Sequence, residues 1–204
     1  MVSYTPTAGI ILAAGASVRF GRSKQLSRIG DKYLIEWVLD AALESCLQTV
    51  VLVLGHNHRA ILRALGLKTN HPRLTVEINA DYRKGQSTSL KAGLSGVRES
   101  FEAVMYLLGD QPLVTAELID RMLDQFEHSE KDICVPVCNA QRGNPVIFRR
   151  PLYEDLMRVS GDIGARNIIR DNSDRTYFLE IDKPLYFSDI DTKEDLESLL
   201  TRLP

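Results

Sequence analysis

The sequence predicts an α/β fold, a mostly parallel central sheet flanked by helices and carried in a single domain. Two observations predict it. Short apolar runs of strand length recur along the 204 residues, and amphipathic helical segments fall between them. The strand runs are continuously apolar rather than alternating, the pattern of strands covered on both faces. Alternation of the two kinds of segment implies parallel strands joined by right-handed crossovers.

The elements follow in order. Ala8–Ala13, Thr49–Leu54, Leu74–Ile78, Ala103–Leu108 and Ile133–Val137 are rich in β-branched or aliphatic residues and mostly bounded by turn residues. Between them, 33–46 carries Leu34, Trp37, Val38, Ala41, Ala42 and Leu43 at helical spacing, and 57–65, 87–97 and 116–127 are amphipathic in the same way. In the second half, 145–148 and 176–181 read as strands, with helical stretches near 152–159 and 165–170. A last helix starts after Asp191-Thr192, with Thr192 at the N-cap and Asp195 near the capping-box position. No repeat, low-complexity segment or Pro/Gly-rich linker divides the chain, so 1–204 is expected to form one domain.

Composition narrows the function. A net charge of −2 offers no whole-chain attraction to nucleic acid or to an anionic membrane. No secretory signal or membrane-length apolar run is visible, and three cysteines, an odd number, suit a reducing compartment such as the cytoplasm. Cys134 and Cys138 lie in or beside an apolar segment with no second pair to complete a zinc pattern, so packing is the reading for them. His56 and His58 lack a third ligand nearby and read as polar loop residues.

The most informative stretch is Leu12 to Gln25, where a buried strand runs into a loop with two glycines, two serines, two arginines and a lysine. Small residues let a ligand approach the backbone, whose N–H groups can donate to phosphate oxygens. In an open parallel sheet, ligands bind beyond the carboxyl ends of the strands. Two other segments reach that rim. Gly109-Asp110-Gln111-Pro112 follows a strand and places a carboxylate where Mg²⁺ on a triphosphate would sit. Gly85-Gln86-Ser87-Thr88-Ser89 opens a helix with hydroxyls suited to a base, ribose or phosphate. Alone, the first could be a simple turn and the second a helix cap. The phosphate-loop and dinucleotide fingerprints are both missing, which counts against ATP hydrolysis and hydride transfer.

Leu12-Ala13-Ala14-Gly15-x-Ser17-x-Arg19-x-Gly21-x-x-Lys24 resembles the signature loop of nucleotidyltransferases with a Rossmann-like fold. Gly109-Asp110-Gln111-Pro112, Arg142-Gly143-Asn144-Pro145-Val146, Gly161-Asp162-Ile163-Gly164-Ala165-Arg166 and Asp189-Ile190-Asp191-Thr192-x-x-Asp195-Leu196 are similar to further segments of the molybdenum cofactor branch, the MobA-like NTP transferases. The resemblance spans nearly the whole chain. Ala13-Ala14-Gly15, in place of a Gly-Gly pair, resembles the cytidylyltransferases more than the guanylyltransferases, and Phe20 stands where methionine is usual.

The resemblance implies transfer of CMP from CTP to the phosphate of molybdopterin cofactor, with release of pyrophosphate and with Mg²⁺ as cofactor. Leu12, Ala13, Ala14, Gly15, Ala16, Ser17 and Gly21 would form the nucleotide cradle. Arg19 would offset charge on the β- and γ-phosphates, Lys24 would lie against the α-phosphate, and Asp110 would hold the metal. Asp191 is a second metal candidate, or else a cap for the last helix. Asn79 and Ser89 are expected to contact the nucleotide, and Arg142, Gly143, Asn144 and Pro145 the acceptor. Asp162 and Arg166, four apart, stand at the spacing of a helical ion pair. Rival readings are a sugar or polyol phosphate as acceptor, or a catalytically silent nucleotide-binding factor that serves a molybdenum hydroxylase client.

Overall fold

The computed structural model describes residues 5–17, 20, 23–162, 164–190 and 192–200. Its elements run β1 Thr7–Ala13, β2 Arg28–Ile29, β3 Lys32–Tyr33, α1 Leu34–Glu44, β4 Thr49–Leu54, α2 His58–Leu65, β5 Leu74–Ile78, α3 Gln86–Ser95 and β6 Ala103–Leu108. Then come α4 Ala116–Ser129, β7 Ile133–Cys138, β8 Gln141–Arg142, β9 Val146–Arg149, α5 Tyr153–Arg158, α6 Arg166–Asp171, β10 Thr176–Glu180 and α7 Lys193–Leu200.

The central sheet has the order β10-β7-β9-β6-β1-β4-β5, with β8 paired to β7. β1 lies parallel to both β4 and β6, as β4 does to β5 and β10 to β7. β9 is antiparallel to both of its neighbours. Chain length explains this reversal. The connection 139–145 is too short for a crossover helix. Instead Asn139 and Ala140, both at positive φ, turn the chain into the β7–β8 hairpin. The mostly parallel sheet expected from the sequence is present, with β9 and the short β8 inverted. The small β2–β3 hairpin and β8 were not foreseen.

Both faces of the sheet are buried, which is why the strand sequences do not alternate. In β1, Ile11 and Ala13 face a cluster with Ile35, Val38 and Leu39 of α1 and Ile119, Met122 and Phe126 of α4. Ala8 and Ile10 face the opposite cluster, with Leu90 and Leu94 of α3, Leu156 of α5 and Ile168 and Ile169 of α6. Each fully buried isoleucine of β1 contributes on the order of 1.5–3 kcal/mol. Cys134 belongs to the first cluster, and burial pushes its thiol up to about 12. The packing reading for this cysteine holds.

Helix α3 approaches the sheet where Gly93 has no side chain. A Cβ there would lie 2.3 Å from Ile10 Cγ2 and 3.0 Å from Val53 Cγ2. The last helix begins with the reciprocal cap its sequence suggested. Thr192 N–H donates to Asp195 Oδ2 at 2.7 Å, and Asp195 N–H donates to Thr192 Oγ1 at 3.1 Å. Among the described residues no helix is long and apolar enough to cross a membrane.

Candidate active site

A cavity of about 360 Å³ opens at the carboxyl ends of β1 and β6, bounded by the loop after β1, the Gly109-Asp110 turn and the start of α3. Leu12, Ala13, Ala14, Gly15, Ser17, Lys24, Ser89 and Asp110 line it, so three separated segments converge as the sheet topology requires. Arg19, Gly21 and Asp191 lie outside the described residues.

The loop is fastened from within. Gln25, buried, donates from Nε2 to Ala13 O at 3.4 Å and accepts at Oε1 from the hydroxyls of Ser23 (3.0 Å) and Ser17 (3.3 Å). Lys24 N–H donates to Ser17 Oγ, and Phe20 N–H to Ser17 O, with Ser17 at φ 51°. Phe20 itself is buried with Ile29, Leu34 and Ile190, an anchor that any large apolar residue could provide. Gln25 is a site residue the sequence reading missed. Its signal, a polar side chain next to Lys24, is not distinctive without coordinates.

Gly15 has a different status. It needs no positive φ, and a Cβ built on it would meet nothing within 4 Å. Neither backbone conformation nor packing calls for glycine here. What its bareness preserves is open space beside the backbone, in the cavity.

Lys24 Nζ donates to Asp110 Oδ2 at 2.5 Å, both side chains mostly buried. The pair joins the loop after β1 to the turn after β6 across 86 residues. Asp110 is held further by its own backbone, since Ile190 N–H donates to its carbonyl at 3.0 Å. Beside it, buried Gln111 donates from Nε2 to Asp189 Oδ1 at 2.8 Å. The segment leading into Asp191 is thereby stitched to the Asp110 turn. Among the described residues no three His, Cys, Asp or Glu side chains gather as a metal cage.

At the other end, the two expected nucleotide contacts separate. Ser89 lines the cavity, whereas Asn79 is buried behind it. Asn79 Oδ1 accepts from Asp81 N–H at 2.9 Å, which fixes its amide to donate from Nδ2 to Thr88 Oγ1 (2.8 Å) and Ser89 Oγ (2.9 Å). Asn79 therefore positions Ser89 rather than facing the cavity. Gln86, from the same expected segment as Ser89, also lines this end, together with Tyr82 and Asp162, which were not foreseen as nucleotide contacts.

The expected Asp162–Arg166 ion pair is not formed. Asp162 Oδ1 instead accepts from Gln86 N–H at 3.0 Å, and Gly161 O from Ser87 N–H at 3.1 Å, capping α3. Gly85, at φ 109°, fits under this strap because a Cβ would lie 2.7 Å from the Gly161 carbonyl carbon. The four expected acceptor residues also part. Arg142 is exposed with its guanidinium 5.2 Å over the Phe178 ring, away from both clefts of this rim, and Gly143 packs against the Phe187 ring. Asn144, joined to buried Pro145 by a cis peptide bond, lines a second cleft beside the first. His56 does not line the cavity, but its N–H donates to Ala14 O at 3.1 Å and its ring lies near Tyr82, two residues that do.

The model of the MobA-like NTP transferase domain matches residues 9–176. The chain belongs to this family. Relatives of similar length include a protein of Pyrococcus furiosus named "Probable molybdenum cofactor guanylyltransferase", 29% identical over 95% of this chain and 96% of its own. Another is the "Nicotine blue oxidoreductase" of Paenarthrobacter nicotinovorans, 27% identical over 94% and 95%. The bifunctional protein GlmU of Cutibacterium acnes is 29% identical over 70% of this chain, which spans about a third (34%) of that relative's length. Among solved structures, Rv0371c of Mycobacterium tuberculosis in complex with manganese superposes with a TM-score of 0.80 at 26% identity, over 98% of this chain and 100% of that one. The family is one of NTP transferases, and 12–15, Ser17 and Lys24 of the segment that resembles its signature loop line one wall of the cavity.

Proposed function

We propose that the protein transfers CMP from CTP to the phosphate of a molybdopterin-type cofactor, releasing pyrophosphate. The observation that carries the reading is the Lys24–Asp110 pair beside a backbone cradle with open space at Gly15. In-line attack of one phosphate on another needs positioning and charge neutralisation more than covalent help. The backbone of 12–17 receives the triphosphate, Lys24 stabilises charge at the α-phosphate, and Arg19 takes the β- and γ-phosphates.

Asp110 suits Mg²⁺. One carboxylate oxygen takes Lys24, the other has no partner among the described residues, and the group lines the cavity. A hard cation completes its shell with phosphate oxygens and water, so one or two carboxylates suffice. Asp191 is the second candidate ligand. Bound there, the metal supplies charge to the phosphate oxygens and polarises the α-phosphorus. The manganese complex of the mycobacterial structure supports a divalent cation in this fold.

The choice of CTP rests on Ala13-Ala14 and on Ser89. Because Ser89 Oγ receives the Asn79 amide, its own hydrogen is left to donate into the cavity. Cytosine presents O2 and N3 as neighbouring acceptors, whereas the corresponding edge of guanine presents N1–H and N2–H donors. The guanylyltransferase relative and the rival sugar-phosphate reading define the competing arms of the test. The protein is incubated with Mg²⁺, each of the four NTPs, and either molybdopterin cofactor or a sugar 1-phosphate, and pyrophosphate is measured. Release with CTP and the cofactor alone is expected. Preference for GTP overturns the base assignment, and turnover of the sugar phosphate overturns the acceptor.

A further inference from the structure

A second cleft adjoins the first, sharing Leu12, Gln86 and Leu108 with it and running under α3 and α6 along β6 and β9. This slot is small, about 100 Å³ against about 360 Å³ for its neighbour. Its floor is apolar and aromatic. Leu90, Val146 and Ile169 are buried, the Tyr106 and Phe148 rings meet edge to face, and the Tyr106 hydroxyl is spent on Leu90 O.

Three polar side chains converge on this floor. Gln86, Asn144 and Arg166 come from α3, the turn before β9 and the start of α6, and none of the three side chains has a hydrogen-bond or ion-pair partner among the described residues. Arg166 makes no ion pair with Asp162, whose Oδ1 accepts from Gln86 N–H. No carboxylate lines the slot. Apolar walls with a few converging polar groups are the usual composition of a small-molecule site. Two amides suit the donor and acceptor edge of a heterocycle, and an arginine suits a phosphate or carboxylate.

We infer that this slot receives the acceptor, a planar hydrogen-bonding heterocycle that carries an anionic group, and that Arg166 rather than Arg142 holds the anion. The inference rests on the transferase reading, and it deepens that reading by placing the acceptor. The shared wall sets the acceptor beside the nucleotide, where the Leu12–Gln86–Leu108 boundary lets a phosphate reach across.

Pterin-6-carboxylate, planar, anionic and fluorescent, is the probe. Its binding is followed by fluorescence titration of the full chain, with and without CTP and Mg²⁺. The wild type should bind it, and saturating nucleotide should not displace it. Arg166→Ala should weaken it about tenfold and Arg166→Glu further, while Arg142→Ala leaves it unchanged. Absence of binding, displacement by CTP, or a loss in Arg142→Ala instead of Arg166→Ala overturns the inference. Exposed Arg166 can be replaced without touching the core. In turnover, Arg166→Ala should raise KM for the acceptor and leave KM for the nucleotide. If no NTP yields pyrophosphate, the transferase reading fails, and the titration still reports on the slot.

Discussion

At the scale of single residues, Gly15 separates folding from function. Its missing side chain is required by neither packing nor φ, so Gly15→Ala should leave the thermal midpoint within about 2 °C of wild type. The added methyl would stand in the open space beside the backbone that is proposed to receive the nucleotide, and kcat/KM for the nucleotide should fall about tenfold or more. An unchanged kcat/KM would remove the loop from the nucleotide path. Lys24 and Asp110 act on charge rather than space. Lys24→Ala and Asp110→Asn should each lower turnover by about 10²–10³-fold while circular dichroism stays native. Near-normal rates in both would dismiss the catalytic assignment. The thiols give a check on the core itself. Cys134, held near 12 by burial, should stay unreactive to a thiol reagent at pH 8 until the chain unfolds. Exposed Cys46 should react first, at a pH above the ordinary thiol range because partial burial and Asp120 raise its pKa. Rapid reaction of two or more thiols in native buffer would contradict the buried placement of Cys134 and Cys138.

At the scale of elements, α3 sets the geometry of both clefts. It carries Gln86 and Ser89 toward the site, and Gly93 on its inner face fixes how closely it lies on β1 and β4. Gly93→Ala would gain helix propensity of about 1 kcal/mol, yet its methyl would overlap Ile10 in a packed core. The clash should prevail, with a net loss of about 1–3 kcal/mol in urea unfolding and a raised nucleotide KM as α3 is lifted. A more stable variant would mean that the helix can shift freely, against the packing found here. The strands and helices of this layer were legible in the sequence because burial on both faces leaves unbroken apolar runs such as Ile10–Ala13 and Val50–Leu54. The inversion of β9 was not. Asn139-Ala140 carries no glycine to announce a tight hairpin, and its direction depends on a connection length that only strand assignment reveals. The site divides the same way. Lys24, Gly15 and Asp110, which share one cavity, could be named because glycines, cations and a carboxylate stand out in the segments that follow strands. Gln25 and the Asp162 cap could not, because they act through hydrogen bonds between segments far apart in the chain. Arg166 was misplaced for a related reason. Spacing of four suggested a pair with Asp162, but that carboxylate reaches back to cap α3 through Gln86 N–H, a contact across 76 residues that spacing does not show.

At the scale of the whole molecule, Glu127 ties three distant parts together. Its Oε2 accepts from Thr5 N–H at 3.0 Å and from Thr5 Oγ1 at 2.5 Å, just ahead of β1. Arg149 at the end of β9 donates to the same Thr5 hydroxyl and lies 4.4 Å over the Phe126 ring of α4. The Thr5 hydroxyl, helped by its N–H and by the Arg149 charge, holds the Glu127 carboxyl below the ordinary glutamate value against the opposing effect of burial. A carboxylate whose folded pKa is depressed stabilises the fold above its unfolded pKa, near 4.3, and loses that contribution as pH falls through the folded value. Glu127→Gln keeps an acceptor oxygen, so comparison with wild type isolates the part linked to charge. Urea unfolding at pH 7 should show the variant less stable by about 1 kcal/mol. Between pH 5 and pH 3 the gap should close, because wild type there takes up the proton that the variant never lacks. A gap that stays constant to pH 3 would mean that the clasp works by shape alone, and one that widens in acid would reverse the sign of the linkage.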